Sequence, residues 1–530
     1  MAVGLWSWFV DDDSGVQGRS DVQRELFDAE SVTGHLLKPH SVFAFLAAHR
    51  AELFPDELFA DLFPSGRGRP SVPADVMAAV ITLQALHGLS DSETAEAVTF
   101  DLRWKAACGL AITAGAFHPT TLTYWRRRLA ASDRPNRIFE AVKAVVAATG
   151  VLACKTRRAL DSTVLEDAVA TQDTVTQLIG AIRRVRRDVP GGAAVVAQHC
   201  DAHDYDDLGK PAIDWKDSAA RDRFLDALVN DAHRVLARLG DQPSPSRAAE
   251  AVALLALVAG QDVEPAEGSD GTDGQWRIPR RVPQDRVIST IDPQSRHVHK
   301  SPQRAYDGFK AHVAVEPDSG LITDCALTQA TGVDNHEVAV GLRLLADEPA
   351  PVTVLADAAY GSGEFRAQLA ARGHTDRVDP PRARRPFDGG FTVDDFTVDH
   401  NQRTATCPQG LTRPISRSGN AFFGKACSHC PLQARCTRSR TGKNLHVGPY
   451  DALQRAARQA ARDPDWRTEY HHHRPMVERS IAWLTRGNRR LRYRGTTKND
   501  HWLHHRVAAL NLRRLITLGL NHTGATWAIA

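Results

Sequence analysis

The sequence has no long apolar run, little lysine and almost no net charge. Apart from a short stretch at its start, its longest apolar run is AVALLALVAG at 251–260. That is about half a membrane span, so it reads as a buried helix rather than a spanning one. The N-terminal MAVGLWSWFVDDD has no basic residues before its apolar stretch and three aspartates after it, which excludes the pattern of a secretory leader. A cytoplasmic protein with no membrane partner is expected. The formal charge of +3 decides nothing about nucleic acid, because acidic and basic segments cancel along a long chain. Lysine accounts for 11 basic residues against 55 arginines. The planar guanidinium suits bidentate phosphate contacts, and the same bias also fits GC-rich coding. No internal repeat is apparent.

What is present suits a soluble protein of several domains: 530 residues, 42% hydrophobic and 24% charged. Residues 1–145 carry apolar positions at helical spacing, including Val42, Phe43, Phe45 and Leu46. SDSETAEAVTF opens with a capping box from Ser90 to Glu93, and HPTTLTYWRRRLA sets Trp125 and Leu129 inward with Arg126, Arg127 and Arg128 partly outward. Short helices ending in a basic one are compatible with a helix-turn-helix-like DNA-binding domain; an all-helical packing domain with a solvated basic edge fits equally.

The period then changes. TRRALDSTVL at 156–165 reads as a strand ending in a turn, AYDGFKAHVAV and LITDCALTQA form a hairpin across EPDSG, and VTVLA before Asp357 is a short buried strand. A helix is expected over 335–348. These elements define an α/β core over 150–380, interrupted by a mainly helical insertion at about 172–290 that carries Arg183, Arg184, Arg186 and Arg187. A loop-rich, cysteine-bearing insertion at 380–450 follows, and 451–520 completes the core.

Cysteines fall into two sets. Cys108, Cys154, Cys200 and Cys325 are scattered and read as small core residues. Cys407, Cys427, Cys430 and Cys436 crowd together as C-x19-C-x2-C-x5-C. In a cytosolic chain this spacing points to a structural zinc ion held by four thiolates, with His429 as an alternative ligand, or to four free thiols.

Carboxylates after strands are candidates for holding magnesium, which needs hard oxygen ligands and few of them. Two such ions can activate water and stabilise a leaving oxygen in phosphodiester cleavage. Asp161, Asp357 and Glu478 can converge from two strand ends and a helix. Glu478 lies in RPMVERSIAWLTRGNRR, 474–490, a segment with five arginines and this single acid. An ordinary reading of that acid is an i,i+4 helix pair with Arg474. Pro475 opposes it by disfavouring helical geometry at Arg474, and Val477, Ile481 and Leu484 form a core stripe with Glu478 on its edge.

Several stretches together resemble bacterial insertion-sequence transposases of the DDE type. They are GRPSVPADVMAAV, LSDSETAEAVTFDLRWKAACGL, ALDSTVLEDAV, VISTIDPQSRHVHKSPQRAYDGFKAHVAVEPDSGLI, VLADAAYGSGEF, the CPQG to CSHCPLQARC block and YHHHRPMVERSIAWL. The resemblance covers nearly the whole chain. It implies an RNase H-like catalytic core whose Asp161, Asp357 and Glu478 bind Mg2+, with Mn2+ as a substitute, and cut and rejoin DNA ends. Arg474 matches the arginine of the family's tyrosine, arginine, glutamate, lysine signature. The tyrosine position is His471 here, with Tyr470 one residue off, and the lysine position is Thr485, beside Arg486. Glu166 and Asp167 follow Asp161 closely and read as solvated acids at a helix start.

The implied function is metal-dependent cleavage at insertion-sequence ends and strand transfer to target DNA, close to the nucleoid. Partners would be the terminal inverted repeats, target DNA and a second copy in a homodimer. Arg474, Arg486, Arg489, Arg126, Arg127 and Arg128 would contact DNA. The alternatives are a domesticated, non-cutting DNA-binding protein and a stand-alone RNase H-like nuclease.

Overall fold

The computed structural model describes residues 16–20, 27–65, 67–239, 243, 246–278, 283, 285–301 and 304–529. The N-terminal MAVGLWSWFVDDD lies outside them. Among the described residues a one-turn helix, Ala29–Thr33, is followed by α1 (Val42–Leu53), α2 (Ala74–His87), α3 (Asp91–Phe100), α4 (Leu102–Cys108), α5 (Thr120–Ala131) and α6 (Arg137–Ala148). The capping box forms as expected. Glu93 N donates to Ser90 Oγ at 3.2 Å, and Ser90 N donates to Glu93 Oε2 at 2.7 Å, satisfying two donors that a helix start leaves open.

The central sheet begins with β1 (Arg157–Glu166), and the helical insertion follows as α7 (Thr174–Asp188), α8 (Gly192–His199), α9 (Ser218–Leu236) and α10 (Arg247–Gln261). The insertion has its own core around Leu178, Ile182, Leu228, Val229, Leu255 and Val258. The sheet resumes with β2 (Arg296–Ser301), β3 (Arg304–Glu316) and β4 (Leu321–Gln329), then α11 (Glu337–Leu344), β5 (Thr353–Ala356), α12 (Gly363–Ala371) and β6 (Thr375–Val378). The expected helix over 335–348 is therefore shorter, with a 3-10 turn at Val333–Asn335 before it.

Strand order is β4–β3–β1–β5–β6, with β2 also paired to the first part of β3. The first three are antiparallel and the last three parallel. The β3–β4 turn is closed by Glu316, whose carboxylate accepts from Asp318 N and Ser319 N at 2.9 and 2.7 Å.

Helices α13 (Asp451–Ala460), α14 (Pro464–His473), α15 (Pro475–Thr485) and α16 (Thr496–Thr517) follow the cysteine segment, and a hairpin of Leu520–Thr523 and Thr526–Ile529 follows α16. One sheet face carries Leu160, Ala314, Val354 and Ala356 against α11 and α12. The opposite face, through Ala159, Phe309, Val313 and Leu327, packs on α15 and α16. That second core continues without a break into the leading helices, where α16 lies against α2 and α6. Burial of these apolar side chains, worth about 1.5–3 kcal/mol each, joins the N-terminal helices to the sheet.

Residues 380–450 are mostly irregular backbone, as expected, between short elements. The segment folds as a three-stranded sheet (Thr397–Asp399, Thr404–Thr406, Thr412–Pro414) beside a hairpin (Asn420–Phe422, Asn444–His446). Phe391, Phe396, Ala405, Phe423 and Leu445 fill a small core between them. Strands of three residues carry too little periodicity to be recognised. The scattered cysteines divide too. Cys108 and Cys325 are buried, Cys200 is half-buried, and Cys154 is exposed at a positive φ of 61°, so it is a turn residue rather than a core one.

Candidate active site

The parallel pairing of β1 with β5 brings the two aspartates together. It runs from Arg157 opposite Thr353 to Ala159 opposite Leu355. Carried on by two residues, the same register sets Asp161 level with Asp357 on the neighbouring segment, and adjacent strands lie about 4.8 Å apart. Beyond Ala356, β5 has ended, so the edge of β1 is open from Leu160 until Glu166 bridges to Arg490. Asp161 sits in this notch, facing α15.

Arg474, between α14 and α15, closes the notch. Its Nη2 lies 3.0 Å from Asp161 Oδ2, with both side chains largely buried. Asp161 also accepts from Ser162 N at 2.8 Å. Burial pushes the Asp161 carboxyl above its ordinary value, the nearby Asp357 adds to this, and Arg474 opposes it. Burial disfavours the Arg474 cation, yet Asp161, Tyr470 and Asp357 hold its pKa above the ordinary value. Asp357 itself is half-buried and accepts from Ala359 N at 3.0 Å.

The ordinary reading of Glu478 as the partner of Arg474 therefore fails, because Arg474 pairs with Asp161. The argument from Pro475 was also wrong. Arg474 has φ −57° and ψ −38°, which is helical geometry. The steric bias before proline is a preference, and here the packing of α14, α15 and the buried ion pair overrides it.

Glu478 stands one turn into α15 on its exposed side, while Val477, Ser480 and Leu484 are buried and Ile481 is half-buried. The structure thus gathers Asp161, Asp357 and Arg474, and sets Glu478 on the helix that packs over β1 without bringing its carboxylate into close ligand spacing with both aspartates. Asp161 and Asp357 offer oxygen donors whose mutual repulsion a cation would relieve, which fits a hard divalent ion.

Other residues stand at the rim, and of these Asp379 and Glu337 are not evident in the sequence. The Tyr470 hydroxyl donates to Ala356 O at 3.3 Å, directly before Asp357, and its ring stacks on Trp466 at 5.2 Å. Tyr470 thus occupies the rim although it is offset by one residue from the expected tyrosine position; His471 is exposed. Asp379, whose N donates to Ala356 O at 2.9 Å, has its carboxyl pushed up by burial and then by Asp357. On the opposite face Glu337 accepts from Lys310 Nζ at 2.8 Å and Ser162 Oγ at 3.3 Å. The Tyr360 hydroxyl is buried without a hydrogen-bond partner. Burial, then Asp161, Glu337 and Asp357, drive its pKa far up. The ADAAY stretch around Asp357 is the one sequence signal for this tyrosine. A cleft of about 670 Å3 opens beside the rim, lined by Asp379, Arg382, Arg385, Arg462, Trp466 and Tyr470 among others.

Glu166 and Asp167 are not solvated acids at a helix start. Glu166 ends β1, half-buried, and its backbone bonds to Arg489 O and Leu491 N at 2.9 and 2.7 Å. Asp167 is buried and accepts from Ser295 Oγ and, at 3.3 Å, from Val169 N. The next helix begins only at Thr174.

The arginines divide as well. Arg126 pairs with Asp91 and bonds to Gln84, Arg128 donates to Leu62 O at 3.3 Å, and Arg489 donates to Val164 O at 3.0 Å. Arg127 and Arg486 are exposed. Thr485 turns its hydroxyl back to Ile481 O at 2.9 Å.

Cys407, Cys427 and Cys430 are half-buried and Cys436 is buried. Burial raises the Cys436 thiol, and Cys427, Cys407 and Cys430 raise it further, but among the described residues no three of the four sulfurs lie within 4.8 Å of one another. His429 is exposed.

Comparison with known families gives two matches. Residues 406–516, which hold the cysteine cluster and Glu478, match the Transposase DDE domain family. Residues 35–128, which hold α1 to α4 and most of α5, match the Transposase domain (DUF772) family. Together these matches indicate an insertion-sequence DDE transposase family. Asp161 and Asp357 lie outside both matched segments. No curated protein and no solved structure matches the chain.

Proposed function

We propose that the protein is a DDE transposase that cleaves DNA at the ends of an insertion sequence and joins the freed ends to target DNA, in the cytoplasm and as a dimer holding two ends. The observation that carries this is the parallel register of β1 and β5, which sets Asp161 beside Asp357, one residue past the end of β5. A DDE domain implies an RNase H-like core, and a sheet of three antiparallel and three parallel partners sharing β1 supports it. Asp161, Asp357 and Glu478 would hold magnesium, which activates water and stabilises the leaving oxygen of a phosphodiester when bound.

The protein's own groups set the conditions for that chemistry. Arg474 keeps the Asp161 carboxylate oriented and partly neutralised in the absence of the ion. Tyr470 fixes the end of β5, and so the position of Asp357. Exposed Arg486 and the arginines of the neighbouring cleft offer phosphate contacts, and Trp466 and Tyr470 give that cleft an aromatic wall. Arg127 and the leading helices would read the terminal repeat. The four clustered cysteines would hold zinc and brace the small sheet around them.

The test is incubation of the purified protein with magnesium and labelled DNA carrying the element's own ends, beside Asp357→Ala. Boundary cleavage and joined products, both lost in the variant, support transposition. Cleavage without joined products points to a nuclease, and specific binding without cleavage points to a DNA-binding protein.

A further inference from the structure

Apart from the aspartate rim, α1 and the hairpin after α16 bring together His49, Glu52 and His522. One ligand atom from each lies within 4.8 Å of the other two. Among the described residues this is the trio of His, Cys, Asp or Glu side chains gathered so closely. The three atoms are near one another, yet no hydrogen bond or ion pair is formed between any two of them among the described contacts. The two imidazole rings meet edge to face with centroids 5.7 Å apart. Ligand atoms this close can share one ion between them.

The local backbone supports this arrangement. His49 departs from helical geometry inside α1, with φ −135° and ψ 16°, and so breaks the regular spacing between its side chain and that of Glu52. The hairpin strand Leu520–Thr523 delivers His522 from the opposite side. Trp527 forms an apolar wall behind both imidazoles, with ring centroids 4.3 Å from His522 and 6.0 Å from His49. The histidines are half-buried and Glu52 is exposed, so the centre has a dry side and an entry side.

We infer that His49, Glu52 and His522 form a binding site for a divalent transition-metal ion of the zinc class, clamping α1 to the hairpin that follows α16. Two imidazoles and one carboxylate suit zinc, whose N and O bonds are about 2.0–2.2 Å and whose fourth position water can fill. Magnesium prefers oxygen ligands and keeps its waters, so this site selects a different ion from the one proposed for the aspartate rim. Its role is to hold the fold: it ties the segment matching the DUF772 family to a hairpin that lies beyond both family matches.

The full chain, stripped with a chelator and dialysed, is titrated with zinc chloride, and bound metal is counted for wild type, Glu52→Gln and His522→Gln. Each variant is expected to lose one zinc equivalent or to bind it at least roughly tenfold more weakly, with a smaller zinc-dependent rise in melting temperature. Cobalt(II) separates this centre from the cysteine cluster, because only thiolates give an intense charge-transfer band; that spectrum should be the same in all three proteins. Equal zinc stoichiometry and affinity in the wild type and in folded variants would overturn the proposal. Glu52 is exposed, so Glu52→Gln keeps the test decisive should His522→Gln fail to fold.

Discussion

Two arginine-rich segments, 183–187 in the helical insertion and 474–494 around α15, look alike in sequence and behave differently in the fold. In the insertion Arg184 pairs with Glu250 and Asp188, Arg186 with Asp206 and Arg187 with Asp188. Its positive charge is neutralised within the same small unit. Around α15 Arg474 pairs closely with Asp161, and Arg492 Nη2 reaches Glu93 Oε2 at 4.0 Å. Arg489 and Arg490 donate to the carbonyls of Val164 and Asp167 at 3.0 and 3.2 Å, which orients them without cancelling their charge. Arg479, Arg486 and Arg494 are exposed. An arginine count therefore says little about a phosphate-binding face until it is known which guanidinium groups are already partnered by acids.

The largest expected effect separates the aspartate rim from everything else. Asp161→Ala or Asp357→Ala should remove DNA cleavage to below detection while leaving DNA affinity nearly unchanged in a gel-shift assay; loss of binding would show these residues to be structural. Next, Arg474→Ala should destabilise the protein by about 3 kcal/mol, since it strands a buried carboxylate. The exposed pair broken by Arg186→Ala should cost no more than about 1 kcal/mol. Denaturant unfolding compares the two, and equal losses would erase the distinction between the segments.

Third, Arg486→Ala and Arg479→Ala should each weaken DNA binding uniformly over sequences and lower the salt slope by about 1, whereas Arg184→Ala and Arg187→Ala should leave it unchanged. Salt-dependent binding isotherms measure this, and an altered slope in the insertion variants would contradict it. The smallest effect is a pH dependence. Because burial raises the Asp161 pKa in the fold, the metal-free protein holds a proton there at pH values where the unfolded chain has lost it. Its contribution to metal-free stability thus falls as pH rises through that window. Magnesium, competing with the same proton, should bind more weakly as pH is lowered through it. Calorimetric titration over that range checks the direction, and a flat affinity would show that Asp161 does not hold the ion.

Much of the scaffold was legible because its elements are long and periodic. The β3–β4 hairpin, the capping box at Ser90 and the strand before Asp357 follow from alternation, spacing and turn chemistry. The aspartates were found through family resemblance, and the register that aligns them is a property of strand pairing that no local pattern reveals. Arg474 was recognised but given the wrong backbone conformation, since a local rule about proline was applied where a buried ion pair decides. Asp379 and Glu337 were missed for a related reason: each matters through a neighbour far along the chain. His49 and His522, nearly the length of the protein apart, show the same limit more strongly.

The unbroken core linking the leading helices, α16 and one face of the sheet has a mechanical consequence. The leading helices and the strands that carry the aspartates cannot swing independently, since separating them would expose apolar surface along the whole of α16. If those helices hold a DNA end, as proposed, the distance from held sequence to cutting point would be set as by a rigid ruler, and any adjustment during joining would come from bending of the DNA or from movement of one protein copy against another.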